Sequence, residues 1–296
     1  MKATEKWRTH KSLMKKIKAG IWTTIGVTAG ICLIVSVAGA AGKKDNAVAD
    51  TVQSEEQSDN QSVSSKENES TATSTTTAKK NGVDMKEMTE GRVVIKENIL
   101  KDSPNYGYTG EMDVKGLMIH SIGVPITSAE QQANIFADPN YWEAGVHAFI
   151  DSETGVVLHT LPWTQVAWHC GYETGNGSYI GVEMCETDAG EYDERYRFQV
   201  DDPERAKEHC RTAYYSAVKL FAELCIRFNL DPLEEGVVIS HSEGHEMGIA
   251  TNHGDPVNYW EDVDSGYTMD GFRQDIADYI KLFKENGWEL NENVKK

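Results

Sequence analysis

Cysteine is scarce in this sequence, with five residues among 296 and no Cys-x-x-Cys pair. The spacing therefore excludes the usual thiolate zinc cluster. Cys32 lies in an apolar run, and the other four are Cys170, Cys185, Cys210 and Cys225. An even number would permit disulfides outside the cell, although Cys210 and Cys225 lie roughly 20 Å apart on one predicted helix and cannot pair with each other. We expect free, buried thiols and leave the disulfide state open.

Charge is absent from residues 19–42, a run long enough to cross a hydrocarbon core of about 30 Å as a helix. Residues 1–18 are basic, with only Glu5 as an acid. This asymmetry predicts a transmembrane helix or signal anchor at 19–42, a cytoplasmic amino terminus and a cell-membrane protein whose remainder lies outside. The alternative is secretion after cleavage of a signal peptide near Ala38-Gly39-Ala40.

Leucine, isoleucine and aromatic residues are absent from residues 43–89, which are mostly Ser, Thr, Asn, Gln, Glu and Lys and have little to bury. This composition predicts a disordered linker. The linker leaves residues 90–296 for one domain. The net charge of −18 and the lack of a basic patch argue against a nucleic-acid partner, and we expect a monomer.

Short apolar runs predict strands, and longer runs with apolar residues three and four apart predict helices. The strands are expected at 93–100, 116–120, 145–151, 155–160, 179–185 and 236–240, and the helices from 128 and at 203–229 and 270–287. Strands that alternate with helices indicate an α/β fold in which helices cover a sheet.

Three residues at or near strand ends could carry chemistry: His120, Glu183 and His241. Loops at strand ends often hold functional sites because the sheet fixes the side chains there. A catalytic zinc needs three protein ligands and an open position. Asp255 or His245 could supply the third ligand. Gly244 and Gly248 weaken a helix after His241, so we expect a loop that returns and lets Asp255 reach back.

The segments "VKGLMIHSIG", "GVHAFIDSETGVVLHTLPWTQVAWHCG", "YIGVEMCE" and "VVISHSEGH…NHGDP" occur in this order. Together they resemble zinc-dependent N-acetylmuramoyl-L-alanine amidases of the type 2 amidase and peptidoglycan-recognition-protein superfamily. The resemblance implies a central mixed β-sheet flanked by helices. It also implies that His120, His241 and Asp255 bind Zn²⁺, that Glu183 is catalytic, and that His253 faces the reacting carbonyl. Many relatives use a cysteine as third ligand, and here none follows Cys225, which keeps His245 as the reserve ligand.

The implied substrate is peptidoglycan, cut between N-acetylmuramic acid and the L-alanine of its stem peptide. Trp168 and His169 are expected to line the sugar–peptide groove, and Asn176 to contact substrate. Two alternatives stay open. One is a non-catalytic module of the same fold that binds or senses peptidoglycan, and the other is a metal nuclease or phosphoesterase.

Overall fold

The computed structural model describes residues 91–101, 103, 110–138 and 144–296, together with the backbone of 79–80 and 83–84. The basic segment 1–18, the predicted membrane run 19–42 and most of the predicted linker therefore lie outside the described residues. Within the described part of the chain, no helix combines the length and apolar character needed to cross a membrane.

The described residues form ten strands: β1 (Lys79–Lys80), β2 (Val83–Asp84), β3 (Ile95–Glu97), β4 (Gly116–Ser121), β5 (Ala148–Ile150), β6 (Val157–His159), β7 (Tyr179–Met184), β8 (Gly190–Tyr192), β9 (Phe198–Val200) and β10 (Val238–Ser240). Six of them make the central sheet, in the order β10-β4-β7-β5-β6-β3. Strands β10, β4, β7 and β5 are parallel, and β6 pairs antiparallel with β5. The predicted mixed sheet is thus confirmed.

The helices of the same part of the chain are α1 (Ala129–Ala137), α2 (Glu173–Asn176), α3 (Pro203–Phe228), α4 (His241–Glu246), α5 (Val257–Asp262), α6 (Met269–Glu285) and α7 (Glu292–Lys295). The side chains of Ser128, Asp202 and Thr268 cap α1, α3 and α6 by accepting from backbone N–H groups of the first turn. Such caps satisfy donors that a helix leaves free at its start.

Alternate residues of each strand point to opposite faces of the sheet. One face, with Leu117, Ile119 and Val182, packs on α3, α6 and α7 in the largest core cluster. The other face carries two smaller clusters, one around α1 and one that includes Met118 and Ile239. His120 belongs to this second face because it is two residues from Met118 in the same strand. Glu183 belongs to it as well, because it is the register partner of His120.

The predicted strands and long helices are present, most of them with shorter bounds, although β4 runs one residue further, to Ser121, and α6 begins one residue earlier, at Met269. Several short elements were not predicted. One prediction was wrong: the residues after His241 form helix α4 rather than a loop. Helix formation there is favoured by a capping box, in which Ser240 accepts from the backbone of Glu243 and the Glu243 side chain accepts from the backbone of Ser240. Gly244 is tolerated because it packs tightly, and an added Cβ would lie 2.9 Å from Met118 Cε.

Candidate metal and catalytic site

The carboxyl ends of three neighbouring parallel strands bring the candidate residues together. His120 is the penultimate residue of β4, and His241 follows β10 directly as the first residue of α4. In β7, Glu183 is the register partner of His120. Because register partners on parallel strands project from the same face, the sheet itself places the glutamate beside the histidine.

Two imidazole nitrogens and a carboxylate converge at this edge. Nδ1 of His120 lies 3.1 Å from Nδ1 of His241. The Asp255 carboxylate lies 3.2 Å from the first nitrogen through Oδ2 and 3.4 Å from the second through Oδ1. One ligand atom from each residue lies within 4.8 Å of the others. Both histidines are buried, whereas the Asp255 side chain is 20% exposed, so the cluster opens toward solvent on the side of Asp255.

The chain returns to the cluster after α4 as predicted. Gly248 has a φ of +75°, a left-handed conformation that favours glycine, and it turns the chain away from the helix. Asp255 then comes back far enough for its Oδ2 to lie 3.4 Å from the backbone nitrogen of Ser121. The reserve ligand His245 is exposed, and its Nδ1 lies 3.3 Å from the carbonyl oxygen of Ala250. It does not join the cluster.

A hydrogen-bond chain fixes the proton on His241. The Thr251 hydroxyl donates to the carbonyl oxygen of Cys170 at 3.2 Å. Its oxygen therefore accepts from Nε2–H of His241, also at 3.2 Å. A neutral imidazole carries one N–H, so Nδ1 of His241 presents a lone pair to the cluster.

This donor set suits Zn²⁺. Imidazole nitrogen and carboxylate oxygen are both zinc ligands, and three protein ligands with one open position are typical of catalytic zinc sites. Burial is the main cause that lowers the pKa of His120, which favours the neutral form that binds metal. For Asp255 burial acts in the opposite direction, but the close approach of the His120 and His241 rings holds its pKa below the ordinary value.

Glu183 has the surroundings of a proton carrier. Its carboxyl oxygen Oε2 is buried and has no hydrogen-bond partner among the described residues. Burial, followed by the negative charges of Asp255 and Glu186, raises the pKa of Glu183 well above its usual range. An isolated buried carboxylate is costly, so the site either protonates Glu183 or needs a cation nearby.

His253 lies on the exposed side of the cluster. Its ring centroid is 4.6 Å from that of His241. Loss of hydration beside the cluster lowers the pKa of His253, as does the neighbouring His241. The lowered pKa favours the neutral ring, which carries one N–H donor.

The three predicted substrate-binding residues have different surroundings. Trp168 is half-buried and its role stays a prediction. Asn176 is 1% exposed, and its Oδ1 accepts from the backbone nitrogens of His169 and Cys170, each at 2.9 Å. Both ring nitrogens of His169 have protein partners, His120 and the carbonyl oxygen of Tyr179. These contacts engage Oδ1 of Asn176 and both ring nitrogens of His169 inside the protein, whereas Nδ2 of Asn176 has no hydrogen-bond partner among the described residues. A substrate contact by either residue stays a prediction.

The sequence analysis missed two residues beside the site, Thr251 and Glu186. Glu186 is fully buried, accepts from Gly123 N at 3.1 Å and from the Tyr192 hydroxyl at 2.8 Å, and has a pKa raised to about 7, mainly by burial. It follows the end of β7, where strand alternation no longer assigns a face. A charged residue at the end of the apolar segment "YIGVEMCE" was the one available signal.

Comparison with known proteins identifies a family. Residues 110–258, about half of the chain, match a family model described as N-acetylmuramoyl-L-alanine amidase. Endolysin PlyTW of Staphylococcus phage Twort is 30% identical over 98 residues, which are 31% of this chain and 20% of that protein. The chain thus spans about a fifth of this relative's length. The structure of the hydrolase AmiA of Staphylococcus aureus has a TM-score of 0.52 at 21% identity, covering 69% of this chain and 91% of that chain, which shows a shared fold.

Proposed function

Because this chain belongs to the N-acetylmuramoyl-L-alanine amidase family, we propose that it hydrolyses peptidoglycan between N-acetylmuramic acid and the L-alanine of the stem peptide, with Zn²⁺ as cofactor. One observation carries the proposal: His120, His241 and Asp255 converge at a strand edge where Glu183 is the register partner of His120. A module that only bound peptidoglycan would not need an unpartnered buried carboxylate beside three metal-ligand atoms.

His120, His241 and Asp255 would hold the metal. A bound zinc ion would lower the pKa of water toward about 7 and polarise the amide carbonyl. Glu183 would accept a proton from the attacking water and deliver it to the departing alanine nitrogen, so that water adds across the broken C–N bond. The raised pKa of Glu183 suits delivery of the proton to the alanine nitrogen. Acceptance of the proton from water requires ionised Glu183, a form that a nearby divalent cation favours.

His253 would donate a hydrogen bond to the oxygen of the carbonyl as negative charge develops there. Donors of this kind contribute about 3–4 kcal/mol in other hydrolases. The exposed position of His253 next to His241 supports this role, since a substrate must reach the cluster from the solvent side.

We also propose that the protein acts outside the cell as a monomer, tethered through residues 19–42. The uncharged run and the preceding basic segment support this proposal. Membrane fractionation of cells that make the full chain tests it, because recovery only in the medium of a chain shortened near Ala40 would favour a cleaved signal peptide.

The catalytic proposal is tested with the full-length chain and purified cell walls. New amino-terminal alanine should appear, and chelation should stop its release until zinc is restored. Glu183→Gln should lower the rate by about 10²–10⁴-fold, the usual contribution of a general acid–base, while zinc content stays at one ion per chain. The matched control is Glu191→Gln, an exposed glutamate on β8, which should keep the wild-type rate.

Three results would contradict the proposal: no alanine release by the zinc-loaded chain, release that ignores chelation, or full activity of Glu183→Gln. Wall binding without alanine release would favour the non-catalytic module instead.

A further inference from the structure

The segment 169–176, "HCGYETGN", takes part in the hydrogen bonding of both candidate histidine ligands, directly for His120 and through Thr251 for His241. We call this segment the support loop. His169 Nδ1 lies 3.0 Å from Nε2 of His120, the nitrogen that faces away from the cluster. The other nitrogen of His169, Nε2, lies 3.0 Å from the carbonyl oxygen of Tyr179. A carbonyl oxygen can only accept, so Nε2 of His169 must carry the proton.

The rest of the proton arrangement follows. In the neutral imidazole of His169, Nδ1 is then an acceptor and takes the hydrogen bond from Nε2–H of His120. His120 is therefore protonated on Nε2, and its Nδ1 presents a lone pair to the cluster.

The same loop supports the second ligand. The carbonyl oxygen of Cys170 accepts from the Thr251 hydroxyl, which in turn accepts from Nε2–H of His241. Each ligand thus ends a hydrogen-bond chain that begins at a main-chain carbonyl. The two Nδ1 lone pairs face each other at 3.1 Å, beside the carboxylate of Asp255. This arrangement is repulsive unless a metal ion or a shared proton lies between them.

The support loop is held firmly in place. Asn176 fixes its start by accepting from two consecutive backbone N–H groups, those of His169 and Cys170. The His169 ring packs directly on Gly181 of β7, where an added Cβ would lie only 2.4 Å from His169 Cγ. Glycine is therefore required at 181 for the ring to reach His120.

We propose that His169 and Thr251 are positioning residues that fix the tautomers of His120 and His241, so that both Nδ1 atoms are ready to bind the metal. The support loop provides partners for both hydrogen-bond chains. This inference rests on the proposed function for its metal, but the tautomers themselves are properties of the metal-free protein. Partners of this kind typically contribute 10–100-fold to metal affinity.

The first test needs no metal and no substrate. Long-range ¹H–¹⁵N NMR spectra of the metal-free, full-length chain in detergent, recorded above pH 7.5, report which nitrogen of each histidine carries the proton. The expected result is Nε2–H for His120, His169 and His241. A bare Nε2 on His120 or His241 would overturn the inference, whatever the enzymatic activity turns out to be.

The second test measures zinc affinity by competition with a chelating dye. Thr251→Val removes the hydroxyl at nearly constant shape and should raise the Kd for zinc by about 10–100-fold, whereas Thr251→Ser keeps the hydroxyl and should restore most of the affinity. His169→Leu should weaken binding similarly, and His169→Asn, which can still accept from His120, should weaken it less. The control His245→Leu removes an exposed histidine outside the cluster and should leave the Kd unchanged.

Wild-type zinc affinity in folded Thr251→Val and His169→Leu would overturn the inference. If His169→Leu does not fold, the Thr251 pair and the wild-type spectra still decide it. Failure of the proposed function is a separate result, seen when the wild-type chain does not bind zinc or does not release alanine.

Discussion

At the residue scale, Glu183 and Glu186 form a pair of buried acids with different roles. Glu183 has a free oxygen, whereas Glu186 has partners on both oxygens. The charge of Glu186 contributes to the raised pKa of Glu183, after burial and Asp255. A nearby like charge disfavours ionisation, so Glu186 would keep Glu183 ready to deliver a proton.

Glu186→Gln should therefore lower the pKa of Glu183. Because the first step requires ionised Glu183, the acidic limb of the kcat/KM profile should move to lower pH. The Tyr192 hydroxyl can reverse its hydrogen bond to accept from the new amide, which limits the structural cost. A pH–rate profile of alanine release measures the shift, with exposed Glu191→Gln as control. A limb that stays in place or moves to higher pH would count against this coupling.

Sequence reasoning found the residues of the cluster because their positions are local: His120 and His241 stand at the ends of apolar runs. Asp255 was one of two candidates for the third ligand, and the family resemblance favoured it, since an acid before proline is ordinarily a turn residue. The parts that were missed depend on tertiary contacts. Thr251 matters only because the support loop brings Cys170 to it, and no spacing in the chain records that approach.

At the scale of elements, strong periodicity allowed the sequence to predict the sheet and the three longer helices. Helix α4 was not predicted because it contains Gly244, and glycine has a low helix propensity. The capping box and the close contact of Gly244 with Met118 favour the helix nevertheless. The short hairpin β8–β9 was missed for a similar reason: three-residue strands carry too little alternation to be recognised.

The cap of α4 should affect the metal site because His241 is the first residue of that helix. Ser240→Ala removes a buried hydroxyl that accepts from Glu243 N at 3.1 Å and should lower the free energy of unfolding by about 1 kcal/mol. It should also weaken zinc binding. Asp202→Ala is the matched control: it removes the cap of α3, which packs on the opposite face of the sheet, and should cost similar stability.

Denaturant unfolding and zinc titration of both cap variants measure these effects. A loss of zinc affinity in Asp202→Ala equal to that in Ser240→Ala would mean that global stability, rather than the start of α4, controls the site.

At the scale of the whole molecule, two histidines away from the cluster link stability to pH. Nε2 of His147 donates to the carbonyl oxygen of Gln165 at 2.8 Å, and its Nδ1 accepts from Gly181 N at 3.0 Å. A second proton on the ring would occupy Nδ1 and break the hydrogen bond from Gly181. His159 stacks on Trp163 at 4.1 Å, and its ring nitrogens lack hydrogen-bond partners among the described residues. Burial is the main cause that lowers the pKa of each ring to about 4.

An unfolded histidine has a pKa near 6.5, so the unfolded chain binds these two protons at a higher pH than the folded chain does. The contribution of these two histidines to stability should therefore be constant above about pH 6.5 and fall as the pH drops from there toward 4, by a few kcal/mol for the pair. His159→Phe keeps the stacking on Trp163 and removes one titrating group, so its unfolding free energy should fall less steeply over this range. The exposed His245→Leu control should keep the wild-type slope. Urea unfolding at several pH values measures how the unfolding free energy of each protein depends on pH. Equal pH slopes for wild type and His159→Phe would show that His159 is already protonated, or exposed, in the folded protein.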